Sequence, residues 1–195
     1  MAGLELCRPR RLIDRCSRGP PPALKWCPRT PGLRPPFWDS SYLGAVISAH
    51  VRHLREKVGH DLLLLPSTSV LPRDGDGRIL LVRLIDSGKW ATIGGAVELD
   101  ESPSACAVRE AMEEAGIMVE LGTILGVFGG PDYRVIYPNG DETAYVVTVF
   151  DAAVIDGTPR PDGEETSEVR WFRPEQLPTD QMGGLTKALF RNLSG

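Results

Sequence analysis

Five glutamates, Glu98, Glu101, Glu110, Glu113 and Glu114, crowd the stretch GGAVELDESPSACAVREAMEEAGI, Gly94 to Ile117. Like charges at i and i+4 on a helix cost roughly 0.2–0.5 kcal/mol each, and more where water is partly excluded. Arg109 reaches Glu113 at i+4, but one guanidinium does not neutralise so many acids. A divalent cation does, and hard carboxylate oxygens suit Mg2+ or Mn2+ rather than zinc. The bland alternative is a solvated acidic face, the ordinary fate of a Glu-Glu pair on its own.

A helix must carry the last three of these acids. Ser102 suits an N-cap, Pro103 suits the first helical position, and Gly116 supplies the residue that ends helices. At 100° per residue, the spacing predicts Ala105, Val108, Ala111, Met112 and Ala115 on the core face, with Glu110, Glu113 and Glu114 converging on the opposite one.

Around that helix the chain reads as alternating elements. SSYLGAVISAHVRHLREKVG spaces Leu43, Ile47, Val51, Leu54 and Val58 as the apolar stripe of a helix ending at Gly59. His50, His53 and His60 lie on or just after it with no carboxylate at ligand spacing, which points to packing or solvation. DLLLLPSTSVL, RILLVRL, MVELGTILGVF, DETAYVVTVFDAAVI and SEVRWF are strands; PRDGDGR is a turn joining two antiparallel ones; RPEQLPTDQMGGLTKALFRNL gives one short and one longer helix. The order predicts an α/β class, a mixed central β-sheet with helices on its faces. We divide the chain into a Pro/Arg-rich extension at 1–39, the amphipathic helix at 40–59 and the main domain at 60–195.

The 195 residues suffice for one ordinary core. Residues 1–40 carry eight Arg or Lys against three Asp or Glu, which leaves the remainder near −9 of a total of −4. An acidic body argues against nonspecific nucleic-acid binding, and no nucleic-acid partner is expected, although the basic arm is a candidate tether. No apolar run is long enough to span a membrane and the start lacks the apolar core of a signal peptide, so the expected location is cytoplasmic, with no membrane partner. Cys7, Cys16 and Cys27 show neither CxxC spacing nor a neighbouring histidine, and form no disulfide framework.

Gly95, Glu101, Arg109-Glu110-Ala111, Glu113-Glu114 and Gly116-Ile117 resemble the Nudix box, G-x5-E-x7-R-E-U-x-E-E-x-G-U with U apolar, every fixed position being filled at its spacing. The likeness extends to the flanking strands and to WATIGG, over roughly residues 60–180. It departs at Ile93, where many members have Pro, and at Asp100, where Gly usually precedes the first Glu.

The resemblance implies a Nudix-like α/β/α sandwich and a hydrolase acting on a nucleoside diphosphate linked to another moiety, a small nucleotide-derived substrate, with Mg2+ or Mn2+ as cofactor. By the same resemblance, Glu110, Glu113 and Glu114 hold the metal, Glu101 supports the loop or joins the outer metal shell, Arg109 orients the glutamates, and the backbone at Gly95 and Ala96 approaches metal or phosphate. The attacking water needs a base. PDGEETSE offers Glu164 and Glu165; Glu165 is favoured and Glu101 is its rival, while a merely polar surface loop explains the same residues. Pro131 resembles the ADP-ribose hydrolase pattern and Tyr133 the dinucleoside polyphosphate pattern. Tyr133 or Tyr137 is a candidate to stack on a base, and Arg134 to pair with a phosphate; strand packing is the other use of these aromatics. An ADP-ribose or nucleotide-sugar substrate is favoured, with dinucleoside polyphosphates or nucleoside triphosphates as alternatives. A non-catalytic nucleotide sensor is the competing class. Homodimer formation through residues 40–59 competes with burial of that stripe on the protein's own sheet.

Overall fold

The computed structural model describes residues 48–194. Cys7, Cys16, Cys27, Leu43 and Ile47 lie outside them, as does the Pro/Arg-rich arm.

Helix α1, Ala49–Val58, starts at Ser48, whose hydroxyl accepts the Val51 N–H at 3.1 Å, and ends at Gly59 with φ 63°. Ser48 is extended and caps it, so among the described residues the helix runs from Ala49. No residue of α1 is buried. It is tied down by polar contacts instead: Arg55 donates from Nη2 to the Glu142 carbonyl at 2.7 Å and to Thr143 Oγ1 at 3.0 Å, and pairs with Asp141. His60 Nδ1 lies 2.7 Å from the same Asp141 carboxylate.

The strands are β1 Leu63–Arg73, β2 Ile79–Leu84, β3 Trp90–Ala91, β4 Met118–Phe128, β5 Arg134–Ile136, β6 Glu142–Asp156 and β7 Thr166–Phe172. Along the sheet they run β3-β2-β1-β6-β4, with β7 also paired to β2 and β5 to β6. β1 and β6 are parallel from Leu63↔Thr143 to Arg73↔Ala153, and the other strand pairs are antiparallel, so the sheet is mixed. Two prolines in the central β1 are compatible with this. Pro66 and Pro72 share the alternation of Thr68 and Val70, whose N–H groups point to the 93–95 loop, so neither removes a donor from the β6 ladder.

Side chains alternate across the sheet and divide the core in two. Val70, Leu80, Val82, Phe150 and Ala152 meet Ala107, Ala111 and Ala115 of helix α2, Pro103–Ala115. Leu71, Ile79, Leu81, Val147 and Val149 meet Ala188 and Leu189 of helix α3, Gly184–Leu193. The sheet is thus covered by α2 on one face and α3 on the other, the expected α/β/α sandwich. The end of the chain carries two short 3-10 turns before α3, Pro174–Gln176 and Thr179–Gln181. Among the described residues no helix is long and apolar enough to cross a membrane.

Candidate active site

Helix α2 begins and ends where its cap residues dictate. Ser102 Oγ accepts the Ala105 N–H at 3.1 Å, and Gly116, left-handed at φ 63°, closes the last turn onto the Ala111 and Met112 carbonyls. Its buried face differs from the expected one. Cys106, Ala107, Glu110, Ala111, Glu114 and Ala115 are buried, whereas Val108 and Met112 are 41% and 46% exposed. Small alanines let the helix approach the sheet closely, and the glutamates at i and i+4 turn inward with them. Glu113 alone of the three points to solvent, so the three acids do not share one outer face.

The loop before α2 explains how two carboxylates fit indoors. It runs antiparallel to β1, accepting the Val70 N–H at the Ile93 carbonyl and the Thr68 N–H at the Gly95 carbonyl. A Cβ on Gly94 (φ 149°) would lie 2.2 Å from the Thr68 carbonyl oxygen, and one on Gly95 would lie 2.3 Å from Glu110 Oε1. The first glycine lets the chain close on the strand; the second leaves room for the carboxylate. The Gly94 N–H then donates to Glu114 Oε2 at 3.3 Å. At Asp100 the backbone is left-handed, φ 62°, the conformation that the glycine usual in similar boxes adopts without strain.

Arg109 is the hub of the acid cluster. It grips Glu101 with two bonds, Nε to Oε1 at 2.9 Å and Nη2 to Oε2 at 3.0 Å. Its Nη1 donates to Glu110 Oε1 at 2.7 Å and to Glu113 Oε2 at 2.8 Å, and Nη2 approaches the Ala96 carbonyl at 3.4 Å. The guanidinium therefore stands between Glu110 and Glu113. Among the described residues no three acidic, His or Cys side chains are gathered as a ready metal-ligand group.

The electrostatics separate these acids. The Arg109 guanidinium holds the Glu101 carboxyl below the usual glutamate value despite partial burial, helped by the Glu98 N–H. Glu110 goes the other way: burial raises its pKa, and the charge and hydrogen bond of Arg109 offset that only in part. Glu114 is pushed well above the ordinary range, first by burial and then by the charge of Glu110, with the charges of Glu165 and Asp162 adding to it and the Gly94 N–H opposing. Cys106, the buried thiol beside Arg109, is raised to about 11 by burial.

Glu165 sits in the turn before β7, and its carbonyl accepts the Ile85 N–H at 2.9 Å. Arg134 is exposed at the start of β5; its pairing with Ala144 places it on the α2 face, which Phe150 and Ala152 define by alternation along β6. Tyr133 requires a correction. It is 1% exposed, packs in the α3-side core, stacks on Phe128 at 6.2 Å and bonds to Asn192 through its hydroxyl at 2.9 Å. A ring enclosed in this way offers no face to a base. Tyr137 likewise spends its hydroxyl on Tyr145, 2.7 Å away.

Three residues at the site were not singled out from the sequence: Gly94, Asp162 and Thr166. Asp162 and Thr166 had a signal in PDGEET, an aspartate followed by glycine, a turn signature, but such turns are common on surfaces.

A NUDIX domain family model matches residues 63–192. A putative 8-oxo-dGTP diphosphatase of Bacillus subtilis (strain 168) is 34% identical over 101 residues, 52% of this chain and 61% of that protein. An ADP-ribose pyrophosphatase of Methanocaldococcus jannaschii is 28% identical over 131 residues, 64% of this chain and 72% of that one. The chain spans 59% and 61% of the length of the first curated relatives it matches. The solved structure of a MutT NUDIX hydrolase from Burkholderia pseudomallei has a TM-score of 0.55 at 27% identity, covering 66% of this chain and 97% of that chain. The family match runs from β1 into α3 and so takes in both layers that flank the sheet: the chain belongs to the NUDIX domain family.

Proposed function

We propose that this protein is a metal-dependent hydrolase of the diphosphate bond in a nucleoside diphosphate linked to another moiety, with ADP-ribose or a nucleotide sugar as its substrate class. The observation that carries the reading is the pair Glu110 and Glu114, two carboxylates one helical turn apart, 8% and 5% exposed, with a third acid, Glu165, adding its charge. Such a pair is poorly compensated by one arginine, and a fold keeps it where a cation belongs.

The donor set fits a hard divalent ion. Its members are carboxylate oxygens, and Gly95 leaves the space against Glu110 that any side chain would fill. Glu110, Glu113 and Glu114 are the residues that would hold Mg2+ or Mn2+, Glu113 by turning from Arg109. When bound, the ion neutralises the diphosphate and acidifies water beside it.

The protein's own groups do the rest. Glu101 clamps Arg109, and Arg109 keeps the glutamates in register. The backbone at Gly95 and Ala96 allows close approach of a phosphate or ion. Glu165 takes the proton of the water whose oxygen attacks phosphorus, and the bridging oxygen leaves with the electrons of the broken anhydride bond. Arg134, exposed on the α2 face, is the residue that pairs with a phosphate in this reading. On that face α2 covers Thr68 but leaves Leu64 and Val146 exposed, an apolar floor for the base or the second moiety.

Burial of Tyr133 removes a recognition role from the residue that pointed to dinucleoside polyphosphates, while Pro131, itself exposed, opens the 3-10 turn Pro131–Tyr133. That balance, with the Methanocaldococcus relative named for ADP-ribose, speaks for the favoured class; the Bacillus relative named for 8-oxo-dGTP keeps triphosphates in the assay. The test is incubation with Mg2+ or Mn2+ and a panel of ADP-ribose, nucleotide sugars, dinucleoside polyphosphates and nucleoside triphosphates, with products identified by mass. The expected products are a nucleoside monophosphate and the phosphorylated remainder. Tight nucleotide binding without turnover would replace this reading with a sensor.

A further inference from the structure

The turn that carries Glu165 is held from both sides. Asp162 Oδ1 accepts the N–H groups of Glu164 at 3.1 Å, Glu165 at 3.1 Å and Thr166 at 2.8 Å, and its Oδ2 is 3.2 Å from the Glu165 N–H. The Gly163 N–H donates to the Thr166 carbonyl at 3.0 Å, closing the turn, and the Glu165 carbonyl is fixed by Ile85. The Thr166 hydroxyl, fully buried, accepts the Asp162 N–H at 3.2 Å and lies 2.8 Å from the Glu114 carbonyl and 2.9 Å from Asp162 Oδ1. One carboxylate thus gathers three successive backbone donors, and one hydroxyl fastens the same turn to the last turn of α2. These bonds also hold Asp162 ionised: burial raises its pKa, but the Thr166 N–H and hydroxyl and the N–H groups of Glu164 and Glu165 outweigh it.

We propose that Asp162 is a positioning residue for the hydrolysis, one that acts through Glu165: its carboxylate, with Thr166, locks the turn to α2 so that the Glu165 carboxyl stands where it takes a proton from the attacking water. The inference rests on the hydrolase reading given above. It differs from a role as an added negative charge or metal ligand, because what matters is a compact acceptor one methylene from the backbone; Asn keeps the Oδ1 that takes all three N–H groups and forgoes only the longer Oδ2 contact, whereas Glu moves the acceptor away. Water gives its proton to the Glu165 carboxylate as its oxygen bonds to phosphorus, and the bridging oxygen departs with the bonding pair. Asp162 neither gains nor loses a proton in the cycle.

The test compares Asp162→Asn, Asp162→Glu and Asp162→Ala, alone and with Glu165→Gln, by kcat, KM and thermal melting of the full chain with Mg2+. Misplacing a reacting group by about 1 Å costs on the order of a hundredfold. Asp162→Glu and Asp162→Ala are therefore expected to lose roughly tenfold to a hundredfold in kcat with KM little changed, and Asp162→Asn to retain most of it. In the Glu165→Gln background Asp162→Ala is expected to cost less than about twofold further, since both changes remove one function. If Asp162→Ala does not fold, the Asn and Glu variants decide alone. An active wild type in which Glu outperforms Asn, or in which the losses multiply, overturns the positioning role only. A wild type that cleaves nothing on the panel overturns the hydrolase reading, and this role with it.

Discussion

Glu113 and Glu114 are neighbours in sequence and opposites in environment. Glu113 is exposed and answers to Arg109; Glu114 is 5% exposed, accepts the Gly94 N–H and feels the charges of Glu110, Glu165 and Asp162. Neutralising Glu114 therefore does two things at once. Glu114→Gln is expected to lower metal-stimulated turnover on the order of a hundredfold or more. In metal-free buffer it is expected to raise the melting temperature, because burial and repulsion both disfavour the charged form. A variant with full activity, or one that melts lower without metal, contradicts the assignment. The types and spacings of these residues were plain in the sequence. Which of them lie indoors was not, because burial depends on how near the loop at Gly94 and Gly95 comes, and that is a property of backbones meeting.

At the scale of elements, α2 is where reading and structure part. Its limits followed from Ser102, Pro103 and Gly116, but its apolar residues were assigned to the core by type. Ala105, Val108 and Met112 are exposed instead, since a helix seated on Cys106, Ala107, Ala111 and Ala115 brings its small side chains to the sheet and turns larger ones out. Met112→Lys is accordingly expected to change stability by no more than about 0.5 kcal/mol by urea unfolding; a core position would lose several times that. The long strands were legible from β-branched runs, whereas β5 and the Pro131–Tyr133 turn, three residues each, are too short for any period to register. A left-handed L-residue is strained by roughly 1–2 kcal/mol, less for Asp, while glycine enlarges the unfolded ensemble. Asp100→Gly is expected to gain less than about 1 kcal/mol and Asp100→Val to lose more than about 1 kcal/mol in the same measurement.

Across the whole molecule the acids oppose one another in their response to pH. Arg109 depresses the Glu101 pKa, so the unfolded chain binds the proton more readily; this stabilisation is complete above pH 4.5 and disappears as the pH falls through the folded value. Glu101→Gln should therefore be less stable than the wild type at neutral pH, with the gap closing in acid, as followed by urea midpoints across that range. A gap that stays constant would show that Glu101 acts by packing rather than charge. The Thr166 hydroxyl meets the Glu114 carbonyl across 52 residues, and β1 lies beside β6 from Leu63↔Thr143 onward. A ribosome releases α2 and its acids well before β6 and β7 exist to enclose them, and loop entropy delays such distant pairings further. Until then Glu110 and Glu114 remain hydrated and indifferent to each other. The enclosed acid pair is thus created late, by the closing strands, and a nascent chain carrying the whole box lacks it until nearly all of the domain has emerged.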